Sequence, residues 1–264
     1  MNLTRIYAII LRHLYTWTRS LSKLTDAFWW PFVDLLTWGL MTVYVSSRLA
    51  TPVGNLVLLF LSGLILWTVI YRSQWEISMI LNEEVWSRNL LNIFASPLTA
   101  LEFLTATVIL SAIKLIIVLF FMATIAWALY RYNLFSLGLY FIPFVGLLCL
   151  FSWSLGLLIN SLIIRFGRDS EALAWTAVFL IQPFSCVFYP LVFLPQWAQP
   201  VALMLPSTYI FEGLRSLLFS GIVPGFYFFM ALFLGLIYLL VSLIVFKLMF
   251  ERAKEAGLLA RLLD

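Results

Sequence analysis

The sequence predicts an all-α membrane protein with six transmembrane helices, and both composition and hydrophobic patterning support this fold class. The 264-residue chain is 64% hydrophobic and 11% charged, whereas a soluble domain has about 45–50% apolar and about 25% charged residues. The apolar residues fall into long runs, and a transmembrane helix needs ~20 of them. Six spans leave room for short tails and loops, but not for a further soluble domain of ~100 residues.

Residues 1–25 predict an amphipathic helix that lies in the membrane interface. From Leu3 to Leu24 the apolar residues recur at steps of three and four, while Arg5, Arg12 and Arg19 form a stripe on the opposite face. A helix divided in this way lies on a membrane instead of crossing it. A cytosolic arm that packs on a partner is the alternative. Because the arginines interrupt the segment before a long apolar core appears, we do not expect a signal peptide.

The transmembrane domain is expected over residues 26–248, and a cytosolic tail over residues 249–264. Lys and Arg indicate its orientation, because they concentrate in cytoplasmic segments. With the N-terminus inside, the inner segments hold eleven Lys and Arg residues and the outer segments hold three. Both termini are therefore predicted to be cytoplasmic. The predicted spans are residues 28–45, 55–79, 103–129, 137–164, 172–191 and 226–245.

The cytosolic connection between the second and third spans predicts a coupling helix within residues 82–97. Its first part is amphipathic, and Ser96-Pro97 breaks the helix. A short rigid helix that joins two spans directly transmits a tilt of a docked protein into the bilayer. A plain solvated linker is the alternative. The residues expected to contact a partner here are Glu83, Glu84, Trp86, Arg88, Leu90 and Pro97.

The outer connection between the fifth and sixth spans, residues 193–225, predicts a re-entrant helical hairpin. It contains two apolar stretches that are too short to span a bilayer. Ser207 is the expected N-cap of the second helix, and Gly221 is its expected C-terminal stop. Glu212 and Arg215 are three residues apart and lie on one helical face. We expect them to form a structural pair that seals an outer gate, with contact to a substrate as the alternative.

Ionisable residues inside the predicted spans are candidate functional residues, because each is costly in the bilayer unless it is paired or hydrated. Asp34 and Arg72 lie at matched depth from the cytosolic face, so we expect them to pair. Glu76 is one helical turn from Arg72 and is expected to join them. Locking two helices together is the alternative to a functional role. Lys114 lies nearer the midplane of the third span. Three arrangements are open for it: its ammonium extends toward the interface, pairs with an acidic residue, or faces a polar pathway.

Several classes of function are excluded by what the sequence lacks. The sole histidine, His13, lies in the N-terminal helix, so neither a zinc protease nor a Ser-His protease is indicated. No GxxxxGK[ST] loop is present to bind a nucleotide. The net charge of +4 without a long basic run argues against nucleic-acid binding. Cys149 and Cys186 lie inside predicted spans and are expected to pack as small apolar residues. Taken together, these observations lead us to expect no enzyme activity, bound metal or bound cofactor in this chain.

The order of these parts resembles the ABC-2-type exporter permeases over essentially the whole chain. The shared parts are the N-terminal amphipathic helix, six spans, an inner helix ending in Ser-Pro, and an outer hairpin. The most specific stretches run from Glu83-Glu84 to Ser96-Pro97-Leu98, from Leu194-Pro195 to Glu212-Gly213-Leu214-Arg215, and from Phe250 through Ala256-Gly257-Leu258-Leu259 to Arg261.

The resemblance implies the permease subunit of an ATP-driven exporter in a bacterial plasma (inner) membrane. Two permease copies, as a homodimer or a close heterodimer, would associate with two ATP-binding-cassette ATPase subunits that bind ATP and Mg²⁺. Apolar walls suit an amphiphilic or hydrophobic substrate, such as a lipid-linked glycan, a lipid or a drug. A membrane scaffold or assembly subunit that transports nothing is the alternative. A channel is not favoured, because no ring of acidic or carbonyl-rich positions is present.

Overall fold

The structure, a computed structural model, describes residues 1–49, 53–87, 89, 96–166 and 171–255. Within these ranges the chain is all-helical and contains no strand. Short 3₁₀ turns occupy Leu134–Tyr140, Gln182–Ser185 and Leu191–Phe193. The α-helices in chain order are α1 (Leu3–Arg19), α2 (Leu21–Leu49), α3 (Val53–Trp86), α4 (Ala100–Tyr130), α5 (Phe141–Phe166), α6 (Glu171–Ile181), α7 (Gln199–Leu203), α8 (Pro206–Ser220) and α9 (Gly225–Glu255).

Four helical segments of the described chain are long and apolar enough to cross a membrane. They correspond to the second, third, fourth and sixth predicted spans, and are Val57–Trp86, Ala100–Tyr130, Leu134–Phe166 and Gly225–Ala253. The first predicted span lies in α2, which is 29 residues long, but Pro31, Asp34 and three tryptophans dilute its apolar stretch. The fifth lies in α6, which has only 11 residues.

Helix α3 lies at the centre of the bundle. It contacts α2, α4, α5, α6 and α8, and every residue from 61 to 70 is buried. Helix α5 approaches it closely at Gly156, where an added Cβ would lie 2.9 Å from the Cβ of Ile77. One turn later the Asn160 side chain donates a hydrogen bond of 3.1 Å to the Ile77 carbonyl. Small residues and hydrogen bonds between helices are common means of packing apolar helices together.

Helix α1 packs along the bundle through one face. It begins after Asn2, whose side chain accepts a hydrogen bond from the backbone N–H of Thr4 and so acts as the N-cap. Leu3 and Tyr7, which the sequence assigned to the apolar face, are exposed. The face that packs is therefore shifted toward His13 relative to the prediction. Its buried residues are Ile6, Ile10, His13 and Trp17.

The predicted coupling helix does not begin as a separate element. Helix α3 continues from Val53 to Trp86, so residues 82–86 form its end. Val85 belongs to a hydrophobic cluster that also contains Ile6 and Ile10 of α1. The helix continues because residues 80–86 contain no Gly or Pro to end it. The remainder of the predicted helix, including Arg88 and Leu90, lies outside the described residues.

The predicted fifth span, residues 172–191, is not one continuous helix. Helix α6 ends at Ile181, and the 3₁₀ turn Gln182–Ser185 follows it. Pro183 has no N–H to continue the helical hydrogen bonds. Cys186 then adopts a left-handed conformation with φ of 55°, which helices of L-residues do not sustain. The prediction of a helix beyond Ile181 is therefore wrong.

The outer segment 193–225 contains two helices of unequal length. Helix α7 has five residues and is shorter than predicted, whereas α8 has fifteen. Helix α8 begins with Pro206, after Leu205 in the N-cap position, so the predicted N-cap Ser207 is wrong by two residues. Proline is favoured there because its fixed φ suits the first helical turn. The predicted stop at Gly221 is confirmed, since this residue has φ of 75° and caps α8.

Candidate functional site

The acidic pair Glu83 and Glu84 at the end of α3 binds α1 and the start of α2. One Glu84 oxygen accepts a hydrogen bond of 2.9 Å from Arg12, and the other lies 3.1 Å from His13 Nε2. One Glu83 oxygen is 2.7 Å from Lys23 Nζ, and the other is 3.8 Å from His13 Nδ1. Glu84 is only 1% exposed. Its carboxylate is therefore occupied inside the protein.

His13 lies between these two carboxylates and is protonated more readily than an ordinary histidine. Burial lowers the pKa of His13, but hydrogen bonding to Glu83 and Glu84 and their negative charges raise it by more, so that the pKa lies above 6.5. Neither His13 Nε2 nor the facing Glu84 Oε1 has another hydrogen-bond partner among the described residues. A proton on Nε2 is needed, because otherwise two acceptors would face each other.

The start of α4 is bound to the start of α1. Thr99 and Glu102 form a capping box, in which the Thr99 hydroxyl accepts from the Glu102 N–H and the Glu102 carboxylate accepts from the Thr99 N–H. The same carboxylate accepts a hydrogen bond of 2.6 Å from the backbone N–H of Asn2 and lies 3.6 Å from Arg5. Arg5 also donates to the Pro97 carbonyl. The connection between α3 and α4 is thus fastened to α1 at both ends.

The residues expected to contact a partner in this connection differ in accessibility. Trp86 is 38% exposed at the end of α3. Glu83 is half-buried and Glu84 is buried, and both are bound as described above. The Glu84 carboxylate is engaged by Arg12 and His13 of α1, and its contact with a partner stays a prediction. Pro97 is exposed and uses its carbonyl for Arg5, while Arg88 and Leu90 lie beyond the described part of the chain.

Arg72 pairs with Asp26 and not with Asp34. Its guanidinium lies 2.9 Å from an Asp26 carboxylate oxygen and also donates to the Asp26 carbonyl. The two acidic residues of α2 are eight positions apart, which separates them by about 12 Å along a helix. Arg72 therefore reaches only one of them, and the predicted Asp34–Arg72 pair is wrong. Since Arg72 is 2% exposed, a carboxylate partner is essential to its burial.

Lys114 of α4 pairs with Glu76 of α3. The distance between its ammonium and the Glu76 carboxylate is 2.6 Å, so Glu76 does not join Arg72 as expected. Of the three arrangements considered for Lys114, the structure has the paired one. Its ammonium also lies 5.4 Å from the centre of the Trp17 ring of α1, a distance at which a cation is attracted to an aromatic face. The proposed pathway role of Lys114 stays a prediction.

Asp34 lines a cavity of about 250 Å³ that α2, α3 and α6 enclose. Its carboxylate forms no ion pair or hydrogen bond with the described side chains. The walls are mostly aromatic, and the Tyr71 ring centre lies 6.0 Å from that of Trp175 and 5.9 Å from that of Phe179. The remaining lining residues are Trp30, Pro31, Trp67 and Thr68.

Glu212 and Arg215 of α8 form an ion pair of 3.0 Å. Both also bind the irregular backbone that follows α6. Arg215 donates a hydrogen bond of 2.6 Å to the Cys186 carbonyl, and Glu212 accepts one of 2.7 Å from the N–H of Leu191. The pair therefore satisfies backbone groups that have no helical partner. Its role in an outer gate stays a prediction.

Three residues that organise these contacts, His13, Asp26 and Glu102, are absent from the predicted site residues. Each binds a group distant in sequence, and Glu102 and Asn2 are 100 positions apart. Hydrophobic periodicity shows which face of a helix is apolar, but it does not show which helix packs against it. Two signals were available: the Thr99-x-x-Glu102 spacing of a capping box, and the opposite charges of Arg12-His13 and Glu83-Glu84.

The described residues hold no arrangement suited to a metal ion. In the described ranges no group of three or more His, Cys, Asp or Glu side chains has an arrangement that could hold a metal ion. Cys149 and Cys186 are both buried and free. The site is therefore composed of ion pairs, backbone hydrogen bonds and an aromatic cavity.

Comparison with known families assigns this helical bundle to a class. The family described as ABC-2 type transporter matches residues 6–219, a range that extends from α1 into the last turn of α8 and includes the Arg12–Glu84, Arg72–Asp26, Lys114–Glu76 and Arg215–Glu212 pairs. No curated protein matches the chain. The chain belongs to the ABC-2 type transporter family. It is thus a multi-pass membrane protein and a transporter permease subunit, and this family associates in general with ATP-binding-cassette partners.

Proposed function

We propose that this permease exports an amphiphilic or hydrophobic substrate from the cytoplasm or inner leaflet of a bacterial plasma membrane. Two copies form a homodimer, and two separate ATP-binding-cassette subunits bind ATP and Mg²⁺ and supply the energy. The resemblance of the chain to exporter permeases supports the direction of transport. The scaffold alternative predicts a complex that contains the ATPase but transports nothing.

The proposed topology has six spans, with α2 as the first and α6 with its 3₁₀ turn as the fifth. Eleven Lys and Arg residues then lie inside and three outside, which favours cytoplasmic termini. Irregular backbone in the fifth span is tolerable at membrane depth only where the protein satisfies it. Glu212 and Arg215 do so here, which supports a re-entrant position for α7 and α8. Helix α1 then lies in the inner interface.

The fastening of the α3–α4 connection at both ends is the observation that most supports ATPase docking there. Glu84 holds one end to α1 and Glu102 holds the other. A partner that tilts this connection therefore moves α1, α3 and α4 together, which is how a rigid-body motion passes into the bilayer. Trp86 supplies an exposed aromatic side chain of the kind that dominates protein interfaces.

The docking proposal is tested by Trp86→Ala in the permease co-expressed with its ATPase. We expect the variant to fold, but to co-purify with less ATPase or to hydrolyse ATP without export, because it loses an aromatic contact. Trp197→Ala is the matched control, since Trp197 is 71% exposed in the outer segment, and it should retain both properties. Co-purification, ATP hydrolysis and uptake into inverted vesicles are measured together.

Two results would contradict the proposal. Full ATPase binding and transport by the double variant Trp86→Ala, Arg88→Ala would place the docking site elsewhere. An ATPase complex whose hydrolysis no candidate substrate stimulates, and whose vesicles accumulate none, would favour the scaffold alternative.

A further inference from the structure

The cavity beside Asp34 combines a carboxylate with several aromatic rings. Trp30, Trp175 and Phe179 are all partly exposed at its walls, so the rings are accessible to a ligand. Thr68 is less available, because its hydroxyl already donates to the Leu64 carbonyl at 3.0 Å. The cavity thus offers large apolar surfaces, few polar groups and one carboxylate.

The charged groups around the cavity leave one carboxylate without a direct ion pair. Arg72 is occupied by Asp26 at 2.9 Å, and Lys114 by Glu76 at 2.6 Å. Within this part of the described chain, three carboxylates therefore face two cations. The carboxylate without a directly bonded cation is that of Asp34, on which Arg72 acts only through space, and it lines the cavity.

The aromatic rings and the Asp34 carboxylate both favour a positively charged ligand. Aromatic faces carry negative partial charge and attract cations, and an unpaired carboxylate in poorly solvated surroundings attracts a cation strongly. A phosphate or carboxylate ligand would be repelled by Asp34. A neutral glycan would find few hydrogen-bonding groups in a wall made mostly of rings.

We propose that this cavity binds an amphiphilic organic monocation, with the positive group beside Asp34 and the apolar part on the rings of Tyr71, Trp175 and Phe179. This assignment rests on the proposed export function, because it specifies the substrate class that the permease accepts. A cationic amphiphile in the inner leaflet would reach the cavity from the apolar side of α2 and α6.

The test measures binding of tetraphenylphosphonium and tetraphenylborate, two ions of nearly the same shape and opposite charge, to purified permease in lipid nanodiscs without ATPase. We expect the phosphonium to bind and the borate not to bind above an empty nanodisc. Asp34→Asn should weaken phosphonium binding by roughly tenfold or more, because it removes the carboxylate that has no direct ion pair. Asp34→Glu, which keeps the charge, should stay within a few-fold of the native protein.

Two further variants control for charge loss and for folding. Glu251→Gln removes an exposed carboxylate from the end of α9 and should leave binding unchanged. Phe179→Leu keeps Asp34 but removes a half-exposed ring, and should weaken binding several-fold. It also provides the test if Asp34→Asn does not fold.

Equal binding of the two ions, or native phosphonium affinity in Asp34→Asn or Phe179→Leu, would overturn the assignment. Its failure is distinguishable from failure of the export proposal. Phosphonium binding without any ATP-driven transport would leave the cavity assignment intact and contradict export. ATP-driven transport of another compound by a permease that binds no phosphonium would contradict the cavity assignment alone.

Discussion

At the scale of single residues, the position of each buried cation determines which carboxylate it can bind. Arg72 has Asp26 and Asp34 on the same neighbouring helix, and it binds Asp26 through both the carboxylate and the backbone carbonyl. Asp34 is left to line the aromatic cavity. Two acidic residues of one helix thus have separate tasks, one stabilising the bundle and the other available to a ligand.

The two residues should differ in their effect on stability. Asp26→Asn should destabilise the protein by about 3 kcal/mol, because it removes the carboxylate partner of a buried guanidinium. Asp34→Asn should change stability little, because no described ion pair depends on it. Thermal unfolding of both purified variants in one detergent, followed by tryptophan fluorescence, measures the difference. Equal losses would show that Arg72 depends on both carboxylates.

The Glu76–Lys114 pair should behave as a coupled unit. Glu76→Gln or Lys114→Met alone leaves an unpaired charge beside Trp17, so each should be more destabilising than the double variant. The expected coupling energy is about 1–3 kcal/mol, as found for residues in direct contact. The exposed pair Lys247 and Glu251, whose charged atoms are 4.0 Å apart, is the control and should show little coupling. Additive effects at Glu76 and Lys114 would mean that the pair contributes nothing.

At the scale of elements, the docking of α1 depends on a titratable contact. His13 faces Glu83 and Glu84 from α3, with Arg12 on its own helix and Lys23 on α2 as the nearby cations. The carboxylates raise the pKa of His13 above its ordinary value, so folding and protonation support each other. The contribution is present below about pH 6.5, the unfolded pKa, and is lost as the pH rises through the higher folded value.

Helix α1 should therefore detach more readily at alkaline pH. A nitroxide label at the exposed Thr16 should gain mobility as the pH is raised from 6 to 9, and electron paramagnetic resonance measures this. His13→Gln should remove the pH dependence and leave the label more mobile throughout. An unchanged spectrum of the native helix over this range would indicate that the other contacts hold α1 without His13.

Much of the helical framework was predictable, because long apolar runs and local stop signals act within a few residues. The elements that such local signals predicted include helices α4, α5 and α9 and the end of α8 at Gly221. The continuation of α3 to Trp86 was missed because the amphipathic pattern of its end suggested a surface helix, whereas its apolar side is buried in a hydrophobic cluster that includes residues of α1. The break after Ile181 was missed because long-range hydrogen bonds from α8 make the irregular backbone tolerable.

The candidate site was less predictable than the fold. Local spacing identified the Glu212–Arg215 pair, which lies on one helix. The partners of Arg72, Glu76 and Glu84 lie on other helices, and their choice depends on how those helices are rotated. Asp34 was predicted as the partner of Arg72 because the two residues lie at the same depth in the membrane. Depth does not show in which direction a side chain points around its helix.

At the scale of the whole molecule, the proposed orientation predicts which surfaces a reagent can reach. In a background with Cys149→Ala and Cys186→Ala, a cysteine at the exposed position Ser220 should react with an impermeant maleimide in intact cells. A cysteine at Ser87 should react only after the membrane is opened, since it follows the inner end of α3. Labelling of the Ser87 cysteine from outside would reverse the topology.

The contacts of α1 also constrain how the chain is made. Asn2 bonds to Glu102, which is translated 100 residues later, an interval of roughly 5–20 s at ordinary elongation rates. Until Glu102 is made, Arg5 lacks the carboxylate that it faces in the finished protein, and Arg12 lacks Glu84 until 72 further residues have been added. Anionic headgroups attract such basic helices, so the nascent helix exchanges a lipid surface for its protein contacts late in biogenesis. Membranes poor in anionic lipid should therefore slow assembly of new permease while leaving mature permease intact.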